Sequence, residues 1–149
     1  MSRAFVKEQE EGEPRCPTPR GCGGIGVSVT RATLIAQLPA TEASRLSDEA
    51  YYCTDPACIV GYFDRMGTIV GVERVATRTY PKFDDGPVCA CFAIARGTIE
   101  TAVDAKDNAT LKALLARTES KDARCTTKAP DGRRCTPVVR RIVMERKGL

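Results

Sequence analysis

The sequence contains no histidine and no tryptophan among its 149 residues. Without histidine it cannot form a Ser-His or Cys-His catalytic pair, a Rieske-type ligand set or a zinc finger with mixed ligands. Aromatic residues are few, with four Tyr and four Phe, so there is little material for a single large core. We therefore expect cross-links or bound metal to help to stabilise the fold.

Long apolar runs are also missing. The segment 2-SRAFVKEQEEGEPR-15 contains no hydrophobic stretch of the kind that signal peptides require. The longest apolar runs, such as 58-CIVGYF-63, are far too short to cross a bilayer. These features favour a cytoplasmic protein with no membrane insertion. Residues 1–15 are polar and rich in glutamate, and we expect them to form a disordered lead-in.

Eight cysteines are present. In a reducing cytoplasm they are better explained as metal ligands than as a disulfide framework, which is the alternative. They form four pairs along the chain, two on each side of the segment 81-PKFDDGP-87. This distribution predicts two independent four-cysteine sites, one in a subdomain at 16–86 and one in a subdomain at 87–149.

The first four cysteines lie on turns that contain Gly and Pro: Cys16, Cys22, Cys53 and Cys58. Two such turns can place four sulfurs at the vertices of a tetrahedron, about 2.3 Å from a zinc ion. The pairs have five and four intervening residues, which is wider than the usual C-x2-C. We predict a structural zinc site here, and the alternative is a set of buried, reduced cysteines without metal.

The other four cysteines have different spacings: Cys89, Cys91, Cys125 and Cys135. A C-x-C pair is cramped for a mononuclear site, but it can bind one iron of a 2Fe–2S cluster while the other pair binds the second iron. Such a cluster carries a charge of about −2 and needs positive surroundings. Basic residues do flank the second pair: Arg124, Lys128, Arg133 and Arg134. We predict a 2Fe–2S cluster, although each basic residue alone could simply face solvent.

Hydrophobic periodicity predicts an α+β fold. The first subdomain is expected to contain a helix and a small antiparallel sheet of about three strands, with the helix at 31–38 and the strands at 50–53, 58–63 and 68–78. The second subdomain is expected to be helical, with helices at 96–105, 110–118 and 136–148. Asn108 is the predicted N-cap of the middle helix.

Two further patterns suggest ligands that we do not favour. Gly21, Gly23 and Gly26 match G-x-G-x-x-G, but no strand precedes the segment and no helix opens within it, as a dinucleotide site requires. Residues 121–149 carry nine Lys/Arg and three Asp/Glu. Because this segment has no interleaved aromatic residues, we attribute its charge to an amphipathic helix and expect no nucleic-acid partner.

Three segments together resemble a known family. The segment 51-YYCTDPACIVGYF-63 is similar to the "YYFC-x-x-P-x-C-x-V-x-YF" signature of the N-terminal domain of CopZ-type copper chaperones. The segments 88-VCACF-92 and 124-RCTTKAPDGRRC-135 are similar to two further motifs of that domain. The resemblance spans about residues 16–143. The second half also resembles the 2Fe–2S domain of bacterioferritin-associated ferredoxins.

The resemblance implies zinc at the first cysteine set, a 2Fe–2S cluster at the second, and a role in copper handling. This role includes the reduction of Cu(II) to Cu(I) before delivery to a transporter or a separate chaperone. Two features depart from the family: the first pair is C-x5-C, and no M-x-C-x-x-C heavy-metal motif occurs in the 149 residues. The alternatives are a ferredoxin-like electron-transfer protein unconnected to copper and a two-zinc interaction module. No catalytic residues are predicted, and cupric reduction is the one reaction that the sequence suggests.

Overall fold

The computed structural model describes residues 12–148, so most of the predicted lead-in at 1–15 lies outside the described residues. Four short strands are present in this range: β1 (Val27–Val29), β2 (Ala50–Tyr52), β3 (Val60–Asp64) and β4 (Ile69–Gly71). The α-helices in the same range are α1 (Arg31–Gln37), α2 (Ala40–Arg45), α3 (Arg96–Asp104), α4 (Asn108–Thr118), α5 (Cys125–Lys128) and α6 (Thr136–Lys147). The α+β class predicted from the sequence is confirmed.

The strands form one antiparallel sheet in the order β1-β2-β3-β4. Adjacent residues of a strand point to opposite faces, and here each face carries an aromatic pair. The rings of Tyr52 and Tyr62 pack at a tilt with centroids 5.2 Å apart, and those of Tyr51 and Phe63 pack at a tilt with centroids 5.5 Å apart. The first pair belongs to the core beneath α1, and the second packs with the cysteines of the first set. The sheet thus separates a hydrophobic core from a cysteine-containing layer.

The second half packs as helices around its own core, as predicted. Ile99 of α3 and Val139 and Ile142 of α6 are buried there. The N-cap of α4 differs from the prediction: Asp107 accepts a hydrogen bond from the Thr110 amide at 3.1 Å. Asp and Asn are equally good caps, and they are adjacent here, so the sequence alone does not distinguish them.

The loop that contains Cys125 and Cys135 packs against the first half of the protein. In α1, the Thr33 hydroxyl donates to the Thr126 carbonyl at 2.5 Å, and the Gln37 amide donates to the Thr127 carbonyl at 2.8 Å. The two halves therefore have separate cores but share a hydrogen-bonded boundary. Within residues 12–148, no helix is both long and apolar enough to span a membrane.

Candidate metal centres

The first four cysteines come together in space. The sulfurs of Cys16, Cys22, Cys53 and Cys58 all lie within 4.8 Å of one another. The Sγ–Sγ distance is 3.8 Å between Cys16 and Cys58, and 3.7 Å between Cys22 and Cys53. Sulfurs at about 2.3 Å from a tetrahedral zinc ion would be about 3.8 Å apart. The four side chains can therefore hold a metal ion with tetrahedral geometry.

The C-x5-C turn is closed by backbone hydrogen bonds and glycine. The amide of Cys16 donates to the Gly24 carbonyl at 2.8 Å, and the amide of Gly23 donates to the Cys16 carbonyl at 3.0 Å. At Gly21, a Cβ atom would collide with the Cys16 sulfur and lie 2.6 Å from the Pro17 carbonyl oxygen. Two of the glycines that match a nucleotide motif in the sequence, Gly21 and Gly23, therefore belong to this cysteine turn.

The second turn continues from the strands. The amide of Cys53 donates to the Gly61 carbonyl at 2.8 Å and extends the pairing of β2 with β3. The carboxylate of Asp55 accepts a hydrogen bond from the Ala57 amide at 2.8 Å and shapes the turn. The amide of Val60 points at the Cys58 sulfur at 3.5 Å. Amides directed at sulfur favour the thiolate form that metal binding requires.

The thiols of the first set differ in acidity. Burial raises the pKa of Cys16 and, more strongly, that of Cys53, although the charge of Lys82 acts to lower the latter. Burial alone would raise the pKa of Cys58, but the Val60 amide and the neighbouring thiols together hold it below its ordinary value. Metal binding must therefore displace protons from the buried thiols, which couples metal affinity to pH.

Lys82 places a buried positive charge beside the first set. The residue is 6% exposed, and its ammonium donates to the carbonyls of Asp55 and Val60 at 2.8 Å each. Among the described residues, no carboxylate forms an ion pair with it. A buried cation without a counter-charge is costly, whereas four thiolates around a divalent metal carry a charge of about −2. The metal-loaded site would therefore supply the missing negative charge.

Lys82→Met should weaken metal retention at the first set, because it removes this charge and keeps an unbranched side chain of similar length. When both proteins are loaded with zinc as a probe, we expect the variant to release it to a chromogenic chelator about tenfold faster than the wild type. Lys112→Met is the matched control, because Lys112 is exposed on α4. Equal release rates for the two variants would contradict this role of Lys82.

The second four cysteines line one small cavity of about 50 Å³ at the boundary between the two halves. Cys91 and Cys125 have their sulfurs 3.7 Å apart, and the amide of Arg124 donates to the Cys91 sulfur at 3.1 Å. Cys91 of the C-x-C segment is therefore paired in space with Cys125 of the later loop. The sequence suggested instead that Cys89 and Cys91 together bind one iron. Within residues 12–148, only the first set has all its ligand atoms within 4.8 Å, so the second set is more widely spread.

The surroundings of the second set are partly positive. Burial raises the pKa of Cys125 to about 11, and the charge of Arg134 acts in the opposite direction. Burial and the neighbouring Cys89 thiol raise the pKa of Cys135 well above its ordinary value. Cys135 is also the N-cap of α6, where the helix dipole favours negative charge. Arg133 lines the cavity, as the sequence suggested.

The opposite wall of the cavity was not predicted. It is formed by residues of the first half and the connecting segment, which include Tyr52, Thr79 and Lys82. No sequence pattern indicated that these residues lie near the second cysteine set. They approach it only because the later loop packs on α1 and the sheet. The second site is therefore built by both halves of the protein.

Comparisons with known proteins agree with this architecture. No protein-family model matches the chain, and no curated protein is significantly similar to it. Among solved structures, the chain is similar to the X-ray structure of the Archaeoglobus fulgidus CopZ N-terminal domain, with 26% sequence identity and a TM-score of 0.66. The match covers 91% of this chain and 98% of that domain. The protein therefore has a CopZ-like fold, while the resemblance of its second half to bacterioferritin-associated ferredoxins stays a prediction.

Proposed function

We propose that this protein is a redox-active metal-handling protein of the copper-metallochaperone type. In this proposal the first cysteine set binds zinc and the second binds a 2Fe–2S cluster. The observation that carries it is the convergence of four cysteine sulfurs within 4.8 Å in a chain with a CopZ-like fold. Because zinc has no redox chemistry, the first site would stabilise the fold, and electron transfer would belong to the second.

The arrangement of the second set supports a group with two metal ions. Its four thiols line one cavity without forming a compact tetrahedron. The contact between Cys91 and Cys125 at 3.7 Å leads us to assign these two to one iron. The Cys89 thiol lies close enough to Cys135 to help raise the pKa of Cys135, and we assign these two cysteines to the other iron. A bound cluster would supply one-electron chemistry, and the nearby arginines would offset its negative charge.

Protein purified without oxygen should carry about one zinc, two irons and two sulfides per chain. It should also show the visible absorbance of an iron–sulfur protein. Metal analysis, a sulfide assay and the absorption spectrum measure these quantities. A colourless protein with about two zincs would contradict the cluster and would support the two-zinc interaction module.

Copper is the proposed substrate of the second site. Transfer of one electron from the reduced centre to Cu(II) yields Cu(I) and the oxidised centre, and thiolates favour the soft Cu(I) product. Protein reduced with dithionite, freed of excess reductant and mixed anaerobically with Cu(II) should regain its oxidised spectrum with about one Cu(I) per cluster. A Cu(I)-specific chelator gives the copper yield. A reduced spectrum that persists in Cu(II) would contradict cupric reduction.

The second candidate is a ferredoxin-like protein that exchanges electrons with a partner unconnected to copper. The observation in its favour is the positive charge near the second site, where Arg124 and Arg133 form no ion pair among the described residues. These charges would repel free Cu(II) and attract an acidic protein surface. With either function, we expect the partner, a copper-handling protein or a redox protein, to bind near Arg124 and Arg133.

A further inference from the structure

One hydroxyl in the core has no hydrogen-bond partner. Tyr52 is 4% exposed, and its Oη is the one buried side-chain oxygen or nitrogen within residues 12–148 without a partner. The other tyrosines of the sheet differ: Tyr62 donates to the Pro130 carbonyl, and the Tyr51 hydroxyl accepts a hydrogen bond from Arg65 at 3.0 Å. A buried hydroxyl that loses water without gaining a partner destabilises the fold.

The unpartnered hydroxyl belongs to a residue that lines the cavity of the second cysteine set. Tyr52 lies on β2 in the first half, yet it shares this cavity with all four of the later cysteines. Its polar neighbours Thr79 and Asp131 line the same cavity. The Thr79 hydroxyl lies beside the phenol, but the two do not meet hydrogen-bond geometry.

We propose that the Tyr52 hydroxyl donates a hydrogen bond to a sulfur of the group held by the second cysteine set. This inference rests on the proposed 2Fe–2S cluster at that site. Thiolate and sulfide sulfurs accept hydrogen bonds, and such bonds are one of the means by which a protein sets the potential of a cluster. The bound group would thus complete the hydrogen bonding of the core, and the first half would contribute a donor to a site whose ligands all come from the second.

The direction of the effect follows from charge. Reduction adds an electron to the cluster, and a donor at its sulfur stabilises the more negative, reduced form. Removal of the donor should therefore lower the reduction potential. Because Tyr52 is the last residue of β2 and Cys53 follows it directly, this strand end would also connect the two cysteine sites.

Tyr52→Phe tests the proposal, because it removes the hydroxyl and keeps the ring that stacks on Tyr62. Tyr51→Phe is the matched control: it makes the same chemical change one residue away, on the opposite face of the sheet. At the wild-type midpoint potential, we expect the oxidised-to-reduced ratio of Tyr52→Phe to be about tenfold higher, a shift of about 59 mV. The Tyr51→Phe ratio should stay near that of the wild type.

Resonance Raman spectra provide a second readout that a purely structural role would not change. Part of the shift of the Fe–S bands in deuterated water should be lost in Tyr52→Phe and kept in Tyr51→Phe.

The melting temperature provides a third readout, and its change should depend on iron. Without iron, Tyr52→Phe should melt at a higher temperature than the wild type. With iron bound, it should melt at a lower temperature than the wild type. If the iron-free proteins show no cooperative melting transition, the reduction potential and the isotope shift alone test the proposal.

Two results would overturn the inference. One is a Tyr52→Phe protein that binds iron normally and has the potential and isotope shift of the wild type. The other is a Thr79→Val protein that reproduces the whole effect of Tyr52→Phe, because Thr79 would then be the partner of the phenol. Failure of the proposed function looks different: the wild type itself would bind no iron and sulfide.

Discussion

Cys53→Ser should unfold the first half of the protein. Cys53 is 2% exposed and follows β2 in the first cysteine set, so the substitution removes a proposed zinc ligand and leaves a hydroxyl in an apolar layer. Zinc binding by small cysteine sites is worth roughly 10–16 kcal/mol, which is as large as the whole stability of a typical domain, about 5–15 kcal/mol. We expect loss of zinc and of the β-sheet signal, measured by metal analysis and circular dichroism.

Two further variants separate ligand loss from a packing defect. Cys53→Ala removes the same ligand without burying a hydroxyl, and it should unfold the protein as well. Cys22→Ser replaces the exposed ligand of the set, so its hydroxyl stays in water and the damage should be smaller. If Cys53→Ser removed iron and kept zinc, the division of the eight cysteines between two sites would be wrong.

Much of the fold could be predicted because it depends on local pattern. The predicted segments at 31–38, 50–53 and 136–148 correspond to α1, β2 and α6. The sequence suggested about three strands, and the structure has four in the described residues: the additional strand is β1, a three-residue segment just before the predicted helix. Helix α2 was missed because its six residues follow Pro39 and show no apolar periodicity. The predicted strand at 68–78 ends at Gly71, where a 3-10 turn begins.

The site was predictable only as far as cysteine spacing allowed. Spacing grouped the first four cysteines correctly in space, because each pair lies on one turn and the sheet brings the turns together. The contact between Cys91 and Cys125 depends on how a loop 34 residues away along the chain packs. Lys82 and Tyr52 likewise reach the cavity of the second cysteine set through long-range packing, which no local sequence pattern predicts.

The boundary between the halves buries polar side chains. Thr33 and Gln37 of α1 are both buried, and both donate hydrogen bonds to carbonyls of the later loop. Gly132 is needed at this boundary, because it has a φ of +68° and a Cβ there would lie 2.6 Å from the Thr33 hydroxyl. The segment 81–87, which separates the two predicted subdomains, is fixed to the turn between Cys53 and Cys58 through Lys82. The division of the chain at residue 86 stays a prediction.

Cys89→Ser should abolish iron binding and leave zinc in place. Cys89 is 2% exposed and belongs to the core of the second half, whereas the first set lies on the other face of the sheet. A serine oxygen is a harder and more basic ligand than a thiolate, so a cluster with three cysteines and one buried serine should be lost during purification. We expect the loss of nearly all visible absorbance and iron, with about one zinc per chain retained.

The control for this prediction is Cys22→Ser, which alters the first set and should preserve iron. Metal analysis of both variants, prepared side by side without oxygen, measures the iron-to-zinc ratio directly. The boundary contacts make one further result informative. If Cys89→Ser also released zinc, metal binding at the two proposed sites would be cooperative. The α1 contacts of Thr33 and Gln37 would then be the route, because they fix the loop that contains Cys125 to the first half. Retention of both iron and colour would instead exclude Cys89 as a cluster ligand.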